Sequence, residues 1–570
     1  MFFQQREEFD AIVVGSGIAG GWAAKELTEK GLRTLVLERG HDQAHGAYPT
    51  EHKPAWEMPL RDRRLAPENA GLDAQVQSRT SQYRETTKHY FVNDRRHPYV
   101  EDKPFTWIQG AQVGGKSLIW GRQVYRWSDL DFEANLKDGH GVDWPIRYAD
   151  IAPWYSYVER FVGVSGEKLG LPQLPDGEFQ PPMSMNAGEK ALKAGVEAKF
   201  PGRHVTIGRV AILTQAIGDR AACHYCGPCA RGCSTGSYFS SQASTLPAAR
   251  KTGRLTLRPN SIVHSVLYDE RTGRATGIRY FDVETKEAHE VYAKVVFLAA
   301  STLGTTRILL NSKSARFPDG LANSSGELGH NLMDHHFQVG ARGALDGLLD
   351  HYWQGNRPNG IYVPRFRNLG GPDSDRLGFV RGYGYQGGAS RRDWTRGSTE
   401  AGVGVELKRR LRDPGPWTMN LGAWGEHVPR HENSALLSDQ VDEWGIPILR
   451  ISCGYGENEM PMRKDAQAQA VAMLEAAGCH DVKPFDNYKA GGYGAEPGFC
   501  IHEMGTARMG RDPKTSVLNA YNQAHDVPNL FVTDGAAMAS SSCVNPSITY
   551  MALTARAVDH CVEEMKRRNV

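Results

Sequence analysis

The chain has 570 residues, with 67 Lys and Arg against 65 Asp and Glu and a formal net charge of +2. So close a balance argues against nucleic acid as a partner, because phosphate binding needs a clustered basic excess. No apolar stretch approaches the roughly 20 residues of a membrane-spanning helix, and no internal repeat or low-complexity tract is present.

The start of the chain, Met1 to Glu8, has no charged n-region, apolar h-region or twin arginine, so the chain is expected to carry no export signal of its own. Phe9 to Val14 then reads as a short apolar strand, Gly15, Ser16, Gly17, Ile18, Ala19 and Gly20 as a turn, and the stretch to Glu29 as a helix. This is a dinucleotide-binding fingerprint in its proper setting. Gly15 makes the tight turn, Gly17 lets a pyrophosphate approach the backbone, and Gly20 allows the helix to pack closely on the strand, while the helix N-terminus supplies positive field. A second strand, Thr34 to Leu37, ends at Glu38, placed to accept hydrogen bonds from a ribose, with Arg39 beside it. The fingerprint alone does not distinguish FAD from NAD.

Cys223, Cys226, Cys229 and Cys233 place four thiols within eleven residues. The C-x2-C-x2-C-x3-C spacing is that of the bacterial ferredoxin run, although Ser234 stands where that run has proline. Gly227, Gly232 and Gly236 supply the tight and left-handed backbone that wrapping a cluster demands. Iron-sulfur ligation is the favoured reading. A closed tetrahedral zinc site is a competitor, though structural zinc usually pairs two knuckles across a longer gap, and disulfides or free thiols are a third. Cys453, Cys479, Cys500, Cys543 and Cys561 are scattered singly and give no disulfide framework.

Asp334, His335 and His336 invite a metal-site reading, but adjacent histidines point in different directions on any regular element. The segment is therefore read as structural. The short basic run Arg391 to Arg396 reads as a solvated loop. Asn545 and Pro546 look like a helix start, with asparagine as N-cap and proline at the first helical position, and the helix runs on to Lys566, Arg567 and Arg568. The positive end of that helix should point at a reducible cofactor and favour its anionic form.

Five stretches in chain order, Gly110 to Trp120, Trp144 to Ile151, Val295 to Leu303, Gly329 to His335 and His502 to Gly510, resemble the successive landmarks of the glucose-methanol-choline (GMC) oxidoreductase family over essentially the whole chain. The resemblance implies an α/β fold, with a Rossmann-like FAD-binding domain (1–50, 100–165, 220–330 and 491–570) intertwined with a β-sheet substrate-binding domain and its lid loops (51–99, 166–219 and 331–490). It implies FAD held by the fingerprint, Glu38 and Arg39, with Gly114, Gly115 and Ser117 near the flavin, Val263 near the adenine, and Ala300, Asp534, Gly535, Asn545 and Pro546 as further contacts. Ile119 occupies the place of the histidine that attaches FAD in some relatives, so the cofactor is expected to be non-covalent. His502 matches the family's catalytic base, an imidazole suited to taking a hydroxyl proton as hydride leaves carbon, and Asn545 matches its substrate-orienting partner.

Within the family the chain looks most like the iron-sulfur sugar dehydrogenases of the glucoside 3-dehydrogenase and gluconate 2-dehydrogenase type. Some of these hold a three-iron cluster by a C-x5-C-x3-C run, on which Cys223, Cys229 and Cys233 fall. A three-iron cluster with Cys226 spare is favoured over a four-iron cluster that uses Cys226. The expected reaction is oxidation of a secondary sugar hydroxyl, C3 of a glucoside, with electrons leaving singly through the cluster. Gluconate 2-oxidation and glucose 1-oxidation are the near alternatives, and an oxygen-using, pyranose oxidase-like enzyme with structural zinc is the distant one. The resemblance also implies a carbohydrate substrate, a small subunit bearing the export signal and a cytochrome c-type acceptor, hence a periplasmic site by co-export, or a cytoplasmic one without it.

Overall fold

The computed structural model describes residues 7–351, 355, 357–370, 377–391, 400–412 and 415–570. Most of the start read above for an export signal, Met1 to Arg6, lies outside them, as do Arg392 to Arg396 of the basic run. Arg391 itself closes a strand and is buried, its Nε donating to the Gly415 carbonyl at 2.9 Å, so at this residue the run is not a solvated loop.

The first sheet has the strand order Leu255–Arg258, Thr34–Leu37, Glu8–Val14, Ala288–Leu298, Arg274–Asp282 and Ser261–Asp269, with Leu530–Val532 beside Ala288–Leu298. Its central strands are parallel, and the last three form an antiparallel meander. Glu8–Val14 reads as a near-continuous apolar run because both faces are covered. Helix α1 (Ile18–Glu29) lies against it and buries Trp22, Ala23, Ala24 and Leu27. The close approach is enforced at Gly20, where a Cβ would sit 1.9 Å from the Gly15 carbonyl oxygen. Helix α2 (Thr302–Asn311) follows the strand that ends at Leu298.

The second sheet is antiparallel, in the order His480–Asp486, His336–Leu345, Trp417–Gly425, Tyr383–Arg391, Ile361–Val363 and Thr206–Ile207. Helix α3 (Glu459–Ala476) covers one face, with Met462, Ala466, Ala470 and Met473 buried at helical spacing against Val339, Ala341, Leu421 and Ala423. Gln338, Gln386 and Trp424 of the same strands line a cavity instead. A third, small sheet pairs Ser434–Val441 with Pro447–Ser452 and joins Val100–Glu101 in parallel. Residues 100 and 101 thus pair with a strand from the 331–490 stretch. Helix α4 (Ser547–Lys566) runs beneath the first sheet and packs on α1. No helix among the described residues is long and apolar enough to cross a membrane.

Candidate active site

A cavity of about 490 Å³ opens where the parallel strands end, with Val14, Leu37, Glu38 and Ala299 in its wall. This is the position at which open α/β sheets bind ligands. Gly15, at φ 94°, leaves no room for a side chain, since a Cβ there would meet the Ala299 carbonyl oxygen at 2.4 Å. Gly17 is different. A Cβ on it would find only the Gly114 carbonyl oxygen, 3.9 Å away, so the fold itself does not require glycine there. The bare backbone between Gly17 and Gly115 opens into the cavity instead, which is the space a diphosphate needs against the N-terminus of α1.

Ser16 ties three loops together. Its Oγ accepts the Gly114 N–H at 2.8 Å and donates to Glu38 Oε2 at 2.5 Å, while Glu38 Oε1 accepts from the Gly40 N–H at 2.9 Å. Oε2 also accepts the Ser16 N–H at 3.0 Å, so Oε1 is the oxygen that keeps lone-pair capacity for a ribose hydroxyl. Ser117 is held by its own loop, donating to the Gly114 carbonyl at 2.6 Å. Ile18, Ala19, Arg39, Gly115, Val263, Ala300, Asp534 and Gly535 also line the cavity, whereas Gly20, Gly114 and Pro546 stand behind its wall. Burial pushes Asp534 up to about 6, against the hydrogen bond from Thr305 Oγ1 at 2.5 Å.

At the far end the second sheet contributes Phe337, Gln338, Gln386 and Trp424, and the loop 498–502 contributes Phe499, Cys500, Ile501 and His502. Phe337 packs against Trp424 and Phe499, with ring centroids 4.6 and 6.2 Å apart, giving an aromatic wall in the cavity that Asn545 also lines. Asn545 Oδ1 accepts from Gln386 Nε2 at 2.6 Å. That bond fixes the amide so that its NH2 is the free end. The expectation that Asn545 caps the last helix is thereby corrected: the helix starts at Ser547 with Pro546 as N-cap, and the Asn545 amide oxygen is already taken by Gln386. Ser547 and Tyr550 at the start of α4 do face the cavity.

His502 is positioned from beneath by Asp334. Oδ2 of Asp334 accepts the N–H groups of Gly498 and Cys500 at 2.8 and 3.1 Å, and Oδ1 accepts that of His502 at 3.0 Å. Burial and the nearby Glu503 push Asp334 upward, while the backbone N–H groups of His502, Cys500 and His335 pull the other way; because both oxygens accept N–H groups, the geometry holds it as the carboxylate. Ile501, just before His502, sits at φ 64°, a costly conformation for a β-branched residue that the anchored loop sustains. His335 Nδ1 lies 2.8 Å from His502 Nδ1. Burial, with His335 and Lys116 nearby, holds His502 well below the ordinary histidine value, and burial lowers His335 to about 4. Both imidazoles are neutral near pH 7. For His502 Nε2 to accept a proton, its own hydrogen must be on Nδ1, donated to His335 Nδ1. The Nδ1–Nδ1 contact accommodates that tautomer, in which His335 Nδ1 is the acceptor. Asp334 and His335 are therefore structural in a specific sense: they hold the loop that carries His502. His336 does point elsewhere, with Nε2 3.0 Å from Met462 Sδ.

Residues 9–337 and 429–554 match the two family models described as GMC oxidoreductase. The chain belongs to the GMC oxidoreductase family. It is 29% identical to the 2-methyl-1,2-propanediol dehydrogenase of Mycolicibacterium austroafricanum, over 97% of this chain and 95% of that protein. It is 25% identical to the fructose dehydrogenase large subunit of Gluconobacter japonicus, over 98% of each, and 26% identical to the gluconate 2-dehydrogenase flavoprotein of Pantoea cypripedii, over 96% of this chain and 92% of that one. The fold is similar to the crystal structure of pyridoxine 4-oxidase from Mesorbium loti, with a TM-score of 0.60 at 17% identity, covering 97% and 99% of the two chains.

Members of the GMC oxidoreductase family bind FAD and act on CH–OH groups, and this chain is an enzyme of that kind. Its residues fit the cofactor: a glycine-bare cleft at Gly17 and Gly115, an uncapped helix N-terminus with no acid in its first turn, and the Glu38 carboxylate at the strand end. FAD, when bound, supplies a two-electron acceptor for the carbinol hydride.

The cysteine segment of this GMC oxidoreductase forms an irregular loop with Tyr225, Gly227, Gly232 and Gly236 all at positive φ. Cys226 is exposed, and Cys223, Cys229 and Cys233 are half-buried. The Tyr225 N–H lies 3.4 Å from Cys223 Sγ, and the Thr235 and Ser237 hydroxyls lie 3.3 and 3.4 Å from Cys233 Sγ. The loop is clamped from outside. Arg231 donates to the Lys53 carbonyl at 2.7 Å and pairs with Asp62 at 3.2 Å, and the Ser234 N–H donates to Glu51 at 2.7 Å. Arg122 links loop and cavity: it lines the cavity, and its charge opposes the rise that burial imposes on the Cys229 thiol.

Gln386, Lys116 and Arg122 are site residues that the sequence reading passed over. Only Lys116 carried a usable signal, since it lies within the Gly110 to Trp120 landmark.

Proposed function

We propose that this enzyme oxidises a secondary hydroxyl of a sugar, C3 of a glucoside, and hands the electrons singly to an external acceptor through an iron-sulfur cluster held by Cys223, Cys229 and Cys233, with Cys226 as the added ligand of a four-iron form. The observation that carries the reading is one cavity walled by the dinucleotide fingerprint, the His502 and Asn545 pair, and Arg122 beside the cysteine loop. Asn545 NH2 orients the substrate oxygen, and His502 Nε2 takes its proton while His335 holds the opposite edge of the ring. Gln386 and Gln338 offer hydrogen bonds to further hydroxyls, and Phe337, Trp424 and Phe499 give a sugar ring an apolar face to stack on.

The donor set suits iron. Four thiols share one loop whose positive-φ residues let them converge, and N–H and O–H groups already lie against two of the sulfurs. Relatives named as a fructose dehydrogenase large subunit and a gluconate 2-dehydrogenase flavoprotein support a sugar or sugar acid, while the one named as a 2-methyl-1,2-propanediol dehydrogenase makes a small diol the competing substrate. We further propose a non-covalent FAD, since Ile119 lines the cavity with no nucleophile, and a periplasmic complex with a signal-bearing small subunit and a cytochrome c-type acceptor.

The test is anaerobic purification followed by iron, sulfide and zinc analysis. Flavin bleaching is then measured with methyl glucoside, D-gluconate, D-fructose and D-glucose, and the products are identified. Three to four irons per chain and a 3-keto glucoside are expected. Zinc without iron, together with peroxide formation in air, would overturn the relay. Bleaching by gluconate or glucose alone would overturn the regiochemistry.

A further inference from the structure

We propose that Cys500, His335 and His502 form a binding site for a borderline-soft divalent cation, Zn2+ by preference, and that its occupation silences the catalytic base. Cys500 Sγ and one ring nitrogen from each of His335 and His502 all lie within 4.8 Å of one another. The nitrogens are 2.8 Å apart, and the sulfur is 3.4 Å from His502 Nδ1. Tetrahedral zinc, with Zn–N of about 2.0–2.1 Å and Zn–S of about 2.3 Å, puts nitrogen pairs about 3.3 Å apart and a nitrogen and sulfur about 3.6 Å apart. The imidazoles need to part by about half an ångström and the thiol by less.

Two imidazoles and a thiol make an N/S set that prefers Zn2+ or Cd2+ to Mg2+ or Ca2+. His335 is fully buried, while Cys500 and His502 both line the cavity. An ion held here would therefore keep its fourth position toward the space where substrate enters. Second partners for the ligands are in place: the Asp334 carboxylate holds the backbones of Cys500 and His502, and the Tyr455 hydroxyl donates to the His335 carbonyl at 3.2 Å.

The proton balance gives the consequence. In the active arrangement His502 carries its hydrogen on Nδ1, His335 carries its own on Nε2, and Cys500 is a thiol. Zn2+ takes both Nδ1 lone pairs and the thiolate. One proton leaves, from Cys500, and the His502 hydrogen moves from Nδ1 to Nε2. That nitrogen then has no lone pair with which to accept the substrate proton. Zinc at this site inhibits by fixing the wrong tautomer, so substrate binding need not be blocked.

The inhibitory effect rests on His502 as the base; the binding site rests on the donor geometry alone. The experiment uses the FAD-loaded enzyme and three variants, Cys500→Ser, His335→Gln and His502→Ala, each checked for bound FAD. Zn2+ is titrated by equilibrium dialysis and by calorimetry in two buffers of different ionisation enthalpy. Cd2+ serves as a thiolate-sensitive optical probe and Mg2+ as a hard control. Expected are one more zinc in the wild type than in Cys500→Ser, release of about one proton on binding at that site, and a weakening in either ligand variant beyond the about 10–100-fold that loss of an outer partner costs. Substrate-driven flavin reduction, which needs no cysteine loop, should fall in step with occupancy. Zinc stoichiometry and affinity unchanged in both Cys500→Ser and His335→Gln would overturn the site. Full occupancy with undiminished flavin reduction would overturn the silencing. His502→Ala without metal tests the base separately, so failure of that assignment is distinguishable from failure of the zinc site.

Discussion

Replacing Asp334 with asparagine removes one acceptor from beneath the loop that carries His502 and leaves the shape of the side chain unchanged. The carboxylate takes the N–H groups of Gly498 and Cys500 on one oxygen and that of His502 on the other. An amide has one carbonyl to offer. Its better placement keeps Gly498 and Cys500 and turns NH2 against the His502 N–H, so one buried donor is orphaned at a cost of about 1–3 kcal/mol. The loop relieves that cost by drawing the His502 backbone away from the anchor, and the imidazole moves with it. With about 1.4 kcal/mol per tenfold in rate, flavin reduction is expected to slow about 5- to 150-fold. A misplacement of about 1 Å costs a similar factor, on the order of a hundredfold. The assay is anaerobic stopped-flow bleaching of the flavin, with the FAD-to-protein ratio measured on the same sample. A reduction rate equal to wild type would refute the positioning role. Loss of FAD from the variant would refute it differently, by showing that Asp334 holds the fold of the cofactor site. Asp334→Ala orphans three donors, about 3–9 kcal/mol, which is comparable with the whole stability of a domain, and is expected to yield no soluble enzyme.

Gly17→Ala is expected to fold normally, because the added methyl meets only the Gly114 carbonyl oxygen at 3.9 Å, yet to bind FAD at least about tenfold more weakly because the diphosphate loses its approach; equal FAD affinity by fluorescence titration would sink the fit. Gly20→Ala places its methyl 1.9 Å from the Gly15 carbonyl oxygen and should fail to fold, which a soluble, FAD-loaded variant would contradict. Gln386→Ala frees the Asn545 amide to turn and should slow flavin reduction about tenfold, with a coupling energy to Asn545→Ala of about 0.5–3 kcal/mol; strict additivity in the double variant would argue that the two act independently. His335 stays neutral down to about 4 in the folded chain, while an unfolded histidine protonates near 6.5. Its contribution is therefore fully present above about pH 6.5 and is lost as pH falls toward 4, by about 3 kcal/mol. Urea midpoints compared at about pH 7 and pH 4 should fall less steeply in His335→Gln, and an unchanged slope would count against burial of a neutral imidazole.

The parts of the site that were legible in the sequence are those written within one short segment. Gly15, Gly17 and Gly20 announce a turn, a bare backbone and a close helix because each demand falls on the residue that meets it. The positive-φ glycines of the cysteine loop are legible for the same reason. His502 and Asn545 carry no local physical signature, and only the resemblance of their segments to the family pattern singled them out. Asn545 shows the limit of a local reading. Asn-Pro before an apolar run is a sound N-cap signal, but Gln386, 159 residues away, takes the amide oxygen and the helix starts at Ser547.

Asp334 and His335 were missed for a different reason. The argument that neighbouring histidines diverge holds for His335 and His336, which face His502 and Met462. It says nothing about a third residue brought from 167 positions away. Yet the segment 498–502 did pose a question that physical accounting can ask. A half-buried stretch outside any strand or helix must find acceptors elsewhere for the N–H groups it turns inward. With Gly498, Cys500 and His502 alternating, three donors can fall on one side of an extended turn, and one carboxylate with two oxygens is the smallest side chain able to accept all three. Such accounting requires a buried Asp or Glu beneath the catalytic loop. Which one it is depends on where the second sheet begins, and the strand that starts at His336 brings Asp334 there.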